Sequence, residues 1–461
     1  MSPFQPSILE DLKNLLSPSQ VFGSESVRNQ HSHDESYHTP VLPDGVVYAE
    51  STADVVKLVQ YANLHHIPLV PFGSGSGLEG QVVPVHGGIS LDLTHMNRVL
   101  EVLPQDFLVR VQPGVTRTQL NEVLKPQGLF FPVDPGADAS LGGMAATNAS
   151  GTTTVRYGAM KDNVRSLQVV LANGSVIHTS SLASKSSSGY NLTPLFVGSE
   201  GTLGVFTELW LQVYGIPEAT TAARAAFPDI ESCVQAATDI IGAGISVVRM
   251  ELVDAPFFPY LNAYKQTHYP EAPTLFLEFQ GNAKSVQVDL EITQEIVQEG
   301  GCQAFEFYTT AEQRAQLWET RHNAAYAFKH AHVGFEHMST DVCVPISKLP
   351  LAVTRAKQLL VQTGVIGAIV GHVGDGNFHV SMAVKPEDPE DMAKAYRFNE
   401  KLVYYALELN GTCTGEHGVG LGKRKYQAKE HGSALAVMQT IKQALDPSDL
   451  LNPGKLVDPE D

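Results

Sequence analysis

Two runs far apart in the chain carry a high density of groups able to bind a metal or move a proton. His-Val-Gly-Asp-Gly-Asn-Phe-His spans 372–379, and Gly-Glu-His-Gly spans 415–418. His372, His379 and Glu416 make two imidazoles and one carboxylate, a donor set suited to a catalytic divalent cation with open positions. The oxygen and nitrogen donors fit Zn²⁺ or Mn²⁺ and do not choose between them. Two buried, hydrogen-bonded histidines are the bland alternative. His417 would be a base in the same pocket. The intervening Gly374, Asp375 and Gly376 disfavour a helix, so a strand–turn–strand with both imidazoles on one side is predicted. Asp375 reads best as a turn residue bonding its own loop, and Asn377 as a hydrogen-bonding partner for a substrate.

A second kind of chemistry sits near the N-terminal end. A hydrophobic strand over 67–72 runs into Gly73, Ser74, Gly75, Ser76, Gly77 and Leu78. Successive N–H groups of such a loop can form a concave anion nest, with serine hydroxyls as added donors. It is neither a Walker loop nor a GxGxxG fingerprint, because no Gly-Lys-Ser/Thr and no clear helix follow. A glycine-rich surface turn is the competing reading. Two more glycine-lined stretches, 136–158 and 199–204, could lie against a flat ligand. One nest and two such walls suggest a dinucleotide such as FAD.

At this point the motifs resemble a known family. Pro71–Gly77, Gly142-Gly143 with Thr147-Asn148, Gly151 and Arg156-Tyr157-Gly158, and Gly198-Ser199-Glu200-Gly201-Thr202-Leu203-Gly204 are similar to the FAD-binding motifs of vanillyl-alcohol-oxidase type flavoproteins. The runs at 372–379 and 415–420 resemble the FAD-dependent D-2-hydroxyacid dehydrogenase branch, over roughly residues 40–456 in the same order. The resemblance implies an α+β fold: a two-subdomain FAD-binding domain and a cap domain with an antiparallel sheet covered by helices. It implies FAD contacts at 73–78, Gly136, Ser140, Gly143, Thr147, Asn148, Gly151, Glu200, Gly201, Gly204, Val205 and Asn452. It also assigns His372, His379 and Glu416 to a divalent cation and Arg321 to the substrate carboxylate. The implied reaction is oxidation of D-lactate and related D-2-hydroxy acids to 2-keto acids. His417 would take the hydroxyl proton, the Cα hydride would pass to flavin N5, and electrons would leave to an external carrier such as cytochrome c. A mitochondrial address is likewise implied by resemblance. Relatives acting on 2-hydroxyglutarate add a hydroxyl and a cation near Ala325 and Ser339, which favours a lactate-sized acid here. No histidine lies in the nest and no cysteine precedes Cys233, so FAD should be non-covalent.

Composition narrows the remaining classes. The 461 residues carry 31 basic and 49 acidic side chains, a net charge of −18, which makes nucleic acid and anionic lipid poor partners. No apolar run approaches the roughly 20 residues of a transmembrane helix, and Met-Ser-Pro-Phe does not open a signal peptide. Four scattered cysteines without a CxxC pair argue against a thiolate zinc cluster. Lys423-Arg424-Lys425 reads as a solvated cluster or a docking patch for an acidic electron acceptor. The expected organisation is a solvated lead-in over 1–40, an FAD domain over 41–216, a cap and metal domain over 217–425, and a C-terminal return over 426–461. A strand over 46–49, a helix over 55–64 behind a Ser51–Asp54 cap and the strand over 67–72 read as a βαβ unit with a parallel pair. A long helix over 311–331 carries Arg321. The competitors are a glycolate or D-2-hydroxyglutarate dehydrogenase on the same fold, and a non-redox metallohydrolase using the same three ligands.

Overall fold

Ser51 starts the first long helix as the sequence predicts: its Oγ accepts from the Asp54 N–H at 3.2 Å and the helix runs Thr52–His65. A cap of this kind contributes about 1 kcal/mol. In this computed structural model, which describes residues 7–457, Val55, Leu58, Val59 and Ala62 of that helix are buried. Residues 1–6, where the expected lead-in begins, and 458–461 lie outside the described residues. The chain forms two units. The first holds the residues up to Ser150, Gly158–Ile216 and everything from Glu416 onward; the second holds Gly151–Tyr157 and Pro217–Gly415. Re-entry into the first unit thus falls at Glu416, not at 426.

The first unit contains a mixed four-stranded sheet in the order Val21–Phe22, Gly45–Tyr48, Ile89–Asp92, Leu69–Phe72. The strands flanking the helix do not pair with each other as the βαβ reading expects. Ile89–Asp92 lies between them, parallel to both, with Ser90 opposite Val46 and Val70. All four of its residues are buried, which suits the central position of a parallel sheet. The lead-in also departs from expectation. His31, Ser32 and Asp34 are buried, and His31 Nε2 lies 2.8 Å from Asp92 Oδ2. The polar look of that segment hid side chains that pair inside the fold. A second, antiparallel sheet runs Val99–Leu103, Leu108–Val111, Val205–Gln212, Val164–Val170, Val176–His178. The C-terminal segment adds to the edge of the first sheet, where Leu69 N–H donates to the Leu450 carbonyl and Asn452 N–H to the Leu69 carbonyl.

The second unit is built on an antiparallel sheet in the order Ala304–Tyr308, Ala219–Ala226, Thr274–Gly281, Val247–Val253, Ile366–Gly371, Asn377–Val384, Glu336–Ser339, with Val342–Cys343 also on Asn377–Val384. Its helices include Ile230–Gly242, Ala283–Glu299, Leu349–Thr363 and Pro389–Glu408. The predicted long helix is broken: Ala311–His322 and Ala324–Ala331 meet at Asn323, whose side-chain amide donates to the Glu319 carbonyl at 2.7 Å. An asparagine side chain competing for backbone partners favours such a break.

Candidate active site

In the second unit, the segment 366–384 is the strand–turn–strand the sequence predicts. Gly376, at φ +88°, makes the turn, and a Cβ there would stand 2.1 Å from the Val344 carbonyl oxygen. His372 leaves the first strand and His379 sits in the second. Their rings lie 5.5 Å apart, nearly perpendicular. Both imidazoles are held through Nδ1. His372 Nδ1 donates to Glu251 Oε1 at 2.7 Å and His379 Nδ1 donates to the Thr340 carbonyl at 3.0 Å. A carboxylate and a carbonyl can only accept, so each ring, when neutral, carries its proton on Nδ1 and its lone pair on Nε2. That is the pattern of metal-binding histidines oriented by a second hydrogen bond.

Glu251 is fully buried and serves a second group, since its Oε2 accepts from Arg321 Nη2 at 2.5 Å. Burial alone would raise this carboxyl; the donors of His372 and the guanidinium of Arg321 more than offset it and hold it below the usual carboxylate range. Arg321 Nε is buried without a hydrogen-bond partner, so the guanidinium keeps a donor for a ligand carboxylate. Two residues before Glu251 on the same strand, Arg249 lies over the Trp318 ring at 4.9 Å and 3.8 Å from Glu278.

Asp341, also fully buried, organises the other side. Its Oδ1 accepts from Asn377 Nδ2 at 2.8 Å, and its Oδ2 from Thr414 Oγ1 and Gly415 N–H at 2.7 and 2.8 Å. The Asn377 amide donates again to the Val342 carbonyl, leaving Oδ1 buried and without a partner. Asn377 therefore presents an acceptor. Gly415 passes so close to that amide that a Cβ would lie 2.0 Å from Nδ2, which only glycine permits.

In the first unit, the N–H groups of residues 73–78 find no acceptor among the described residues. Six consecutive free donors in an irregular loop are what the expected nest requires. Ser74 Oγ accepts from Ser140 N–H at 2.7 Å, joining the nest to the start of the helix Leu141–Thr147 that carries Gly143. Behind the loop, Gln81 Nε2 donates to the His417 carbonyl at 2.7 Å. Asn452 Nδ2 donates to the carbonyls of Gln81 and Glu200 at 3.0 and 2.8 Å. The Asn452 Oδ1 and Asp34 Oδ2 atoms are buried and lack protein partners. Unmatched donors on the loop and unmatched acceptors on Asn452 and Asp34 fit a polar ligand such as FAD.

Glu200 has a role that its motif does not disclose. Its carboxylate accepts from Val419 and Gly420 N–H at 2.6 and 2.9 Å, fixing the turn after His417. Burial raises its pKa to about 7, against the pull of those donors and of Lys455. Lys455 is itself lowered to about 8 by burial. Glu416 Oε2 accepts from Ser150 Oγ at 2.7 Å, and Glu416 Oε1 lies 3.9 Å from His417 Nε2.

The remaining expected FAD residues behave differently. Thr147 Oγ1 donates back to the Gly143 carbonyl, and Asn148 Oδ1 accepts from Lys161 N–H. Gly136 has open space where a Cβ would point. Gly201 packs on Pro71, while Gly204, just before Val205, packs on Val169 and Phe196. Gly151 belongs to the second unit, where its N–H donates to Thr154 Oγ1. Lys423 is buried, 3.7 Å from Glu79, so neither the solvated cluster nor the docking patch read at 423–425 holds for it. Glu251, Asp341 and Gln81 were missed. The available signal was a charged pair, Arg249 and Glu251, inside an otherwise apolar strand.

A loop of unmatched N–H donors beside a mixed sheet, together with a second unit built on an antiparallel sheet, fits a flavoprotein oxidoreductase of the vanillyl-alcohol-oxidase fold. The model for an FAD binding domain matches residues 43–180, and that for the C-terminal domain of FAD linked oxidases matches 216–456. A probable mitochondrial D-lactate dehydrogenase of Danio rerio is 44% identical, covering 98% of this chain and 92% of its own. A mitochondrial D-lactate dehydrogenase [cytochrome] of Arabidopsis thaliana is 40% identical over 98% of this chain and 80% of its own. The solved structure of 4-ethylphenol oxidase from Gulosibacter chungangensis superposes with a TM-score of 0.80 at 18% identity, covering 100% of this chain and 99% of that one, a likeness of fold. The chain belongs to the family of FAD-linked D-lactate dehydrogenases.

Proposed function

We propose that this enzyme oxidises D-lactate and related D-2-hydroxy acids to 2-keto acids in the mitochondrion, with non-covalent FAD and a divalent cation, and passes electrons to a carrier such as cytochrome c. The observation that carries the metal part is the pair of imidazoles fixed in the Nδ1–H form beside Arg321. Glu416 is one peptide bond from Gly415, whose N–H is anchored on Asp341, so connectivity supports it as the third ligand. The donor chemistry fits Zn²⁺ or Mn²⁺. The names of the relatives support the substrate and the address.

Bound FAD supplies the hydride acceptor, and the cation supplies Lewis acidity that makes the hydroxyl proton easier to remove. Arg321 binds the substrate carboxylate through Nε while Glu251 holds its Nη2. Asn377 Oδ1 accepts a hydrogen bond from a donor on the substrate side. His417 takes the hydroxyl proton, with its main chain held by Gln81 and the following turn by Glu200. With Ala325 and Ser339 supplying no second cation, a short acid is favoured over a dicarboxylate.

Steady-state turnover with D-lactate, L-lactate, glycolate and D-2-hydroxyglutarate, using cytochrome c as acceptor, tests this. D-Lactate should have the highest kcat/KM. Preference for glycolate or for the dicarboxylate would overturn the substrate assignment, and glycolate belongs in the panel because a glycolate oxidase subunit GlcD of Bacillus subtilis is 32% identical.

A further inference from the structure

We propose that Glu251 is a positioning residue that couples the metal ligand His372 to the carboxylate-binding Arg321, an inference that rests on the reading above. One carboxylate makes both contacts: Oε1 accepts from His372 Nδ1 at 2.7 Å and Oε2 from Arg321 Nη2 at 2.5 Å. It is fully buried on the strand Val247–Val253, in the interior of the sheet, with neighbouring strands on both sides. The partners come from distant parts of the chain, Arg321 from the last turn of its helix and His372 from the end of a strand that pairs with Val247–Val253. Joined at one rigid anion, the two groups that would grip the two ends of a hydroxy acid keep a fixed separation.

The chemistry of the bridge depends on two acceptors. A carboxylate accepts from both neighbours, whereas a glutamine of the same shape offers one oxygen and one NH₂. If that NH₂ faces His372, Nδ1 must accept, and the imidazole proton moves to Nε2, the atom that needs its lone pair for a cation. If it faces Arg321, donor meets donor and the guanidinium loses its anchor. From its strand, Glu251 also supplies the negative charge that balances Arg321 of the helix Ala311–His322.

The test uses flavin-loaded enzyme stripped of metal by chelator and titrated with Mn²⁺, with free ion read by electron paramagnetic resonance. Glu251→Gln should weaken Mn²⁺ binding by roughly 10–100-fold, the range typical for loss of a ligand's orienting partner. At saturating Mn²⁺ its KM for D-lactate should stay elevated, while FAD content and the flavin spectrum match wild type. Arg321→Gln should raise KM and leave Mn²⁺ affinity in place. If Glu251→Gln does not fold, Glu251→Gln/Arg321→Gln, which removes both charges, is titrated in its place and should bind Mn²⁺ as weakly. Mn²⁺ affinity within about twofold of wild type in the variant titrated overturns the coupling alone. A wild-type enzyme that binds no Mn²⁺ and turns over regardless of chelator overturns the metal reading and the coupling together.

Discussion

His417 combines two properties that a base needs. Its main chain is fixed by Gln81, and its ring lies beside the carboxylate of Glu416. His417→Ala should keep FAD and metal and lose about 10²–10⁴ in kcat, the usual contribution of a positioned base. Near-normal turnover in that variant, with flavin absorbance and metal content measured on the same sample, would remove His417 from the chemistry. Candidates of this kind stand out in the sequence because histidine and glutamate among glycines are rare and their local spacing survives folding. Glu251 was not legible: its partners lie 121 and 70 positions away, and only the sheet brings them together. Asn377 was legible as a polar group at the site, but its role as an acceptor depends on Asp341 and the Val342 carbonyl taking its NH₂.

Among the elements, the turn at 417–420 is held by a buried acid whose ionisation is costly. Glu200 has a folded pKa of about 7 against an ordinary 4.5, so the folded state keeps a proton that the unfolded chain has already released. Stability from this source is fully present below about pH 4.5 and is lost as pH rises through about 7. Lys455 works in the opposite sense, its contribution fading as pH falls from 10.5 through about 8. Glu200→Gln should therefore flatten the decline in urea midpoint between pH 5 and pH 7 that wild type shows; parallel curves would refute it. Elements with strong local signals were legible, such as the Ser51-capped helix Thr52–His65. Ala219–Ala226 was not, because its alanines give no strand signal, yet it pairs on both sides. The break at Asn323 was hidden because helical periodicity continues across it.

At the scale of the whole molecule, the net charge of −18 has a kinetic consequence. With Lys423 buried, the excess of acid favours a cationic electron acceptor by long-range steering. Reduction of a positively charged protein acceptor should slow as salt rises from low to physiological strength, with a neutral dye as control; equal salt dependence for both would exclude steering. The α+β fold was legible through the resemblance of the glycine-rich motifs, in their order, to a known flavoprotein family. The pairing of the N-terminal segment with the first sheet was not, because its buried His31, Ser32 and Asp34 look solvated when read singly. Metal-assisted oxidation of a D-2-hydroxy acid at FAD is tested most directly by anaerobic mixing of the flavoprotein with D-lactate and L-lactate, following flavin bleaching before and after chelator treatment. D-Lactate should bleach the flavin rapidly and L-lactate should not, with the D-lactate signal lost after chelation and restored by Mn²⁺ or Zn²⁺. A flavin that stays oxidised with D-lactate, or bleaches equally fast once the metal is removed, would contradict it.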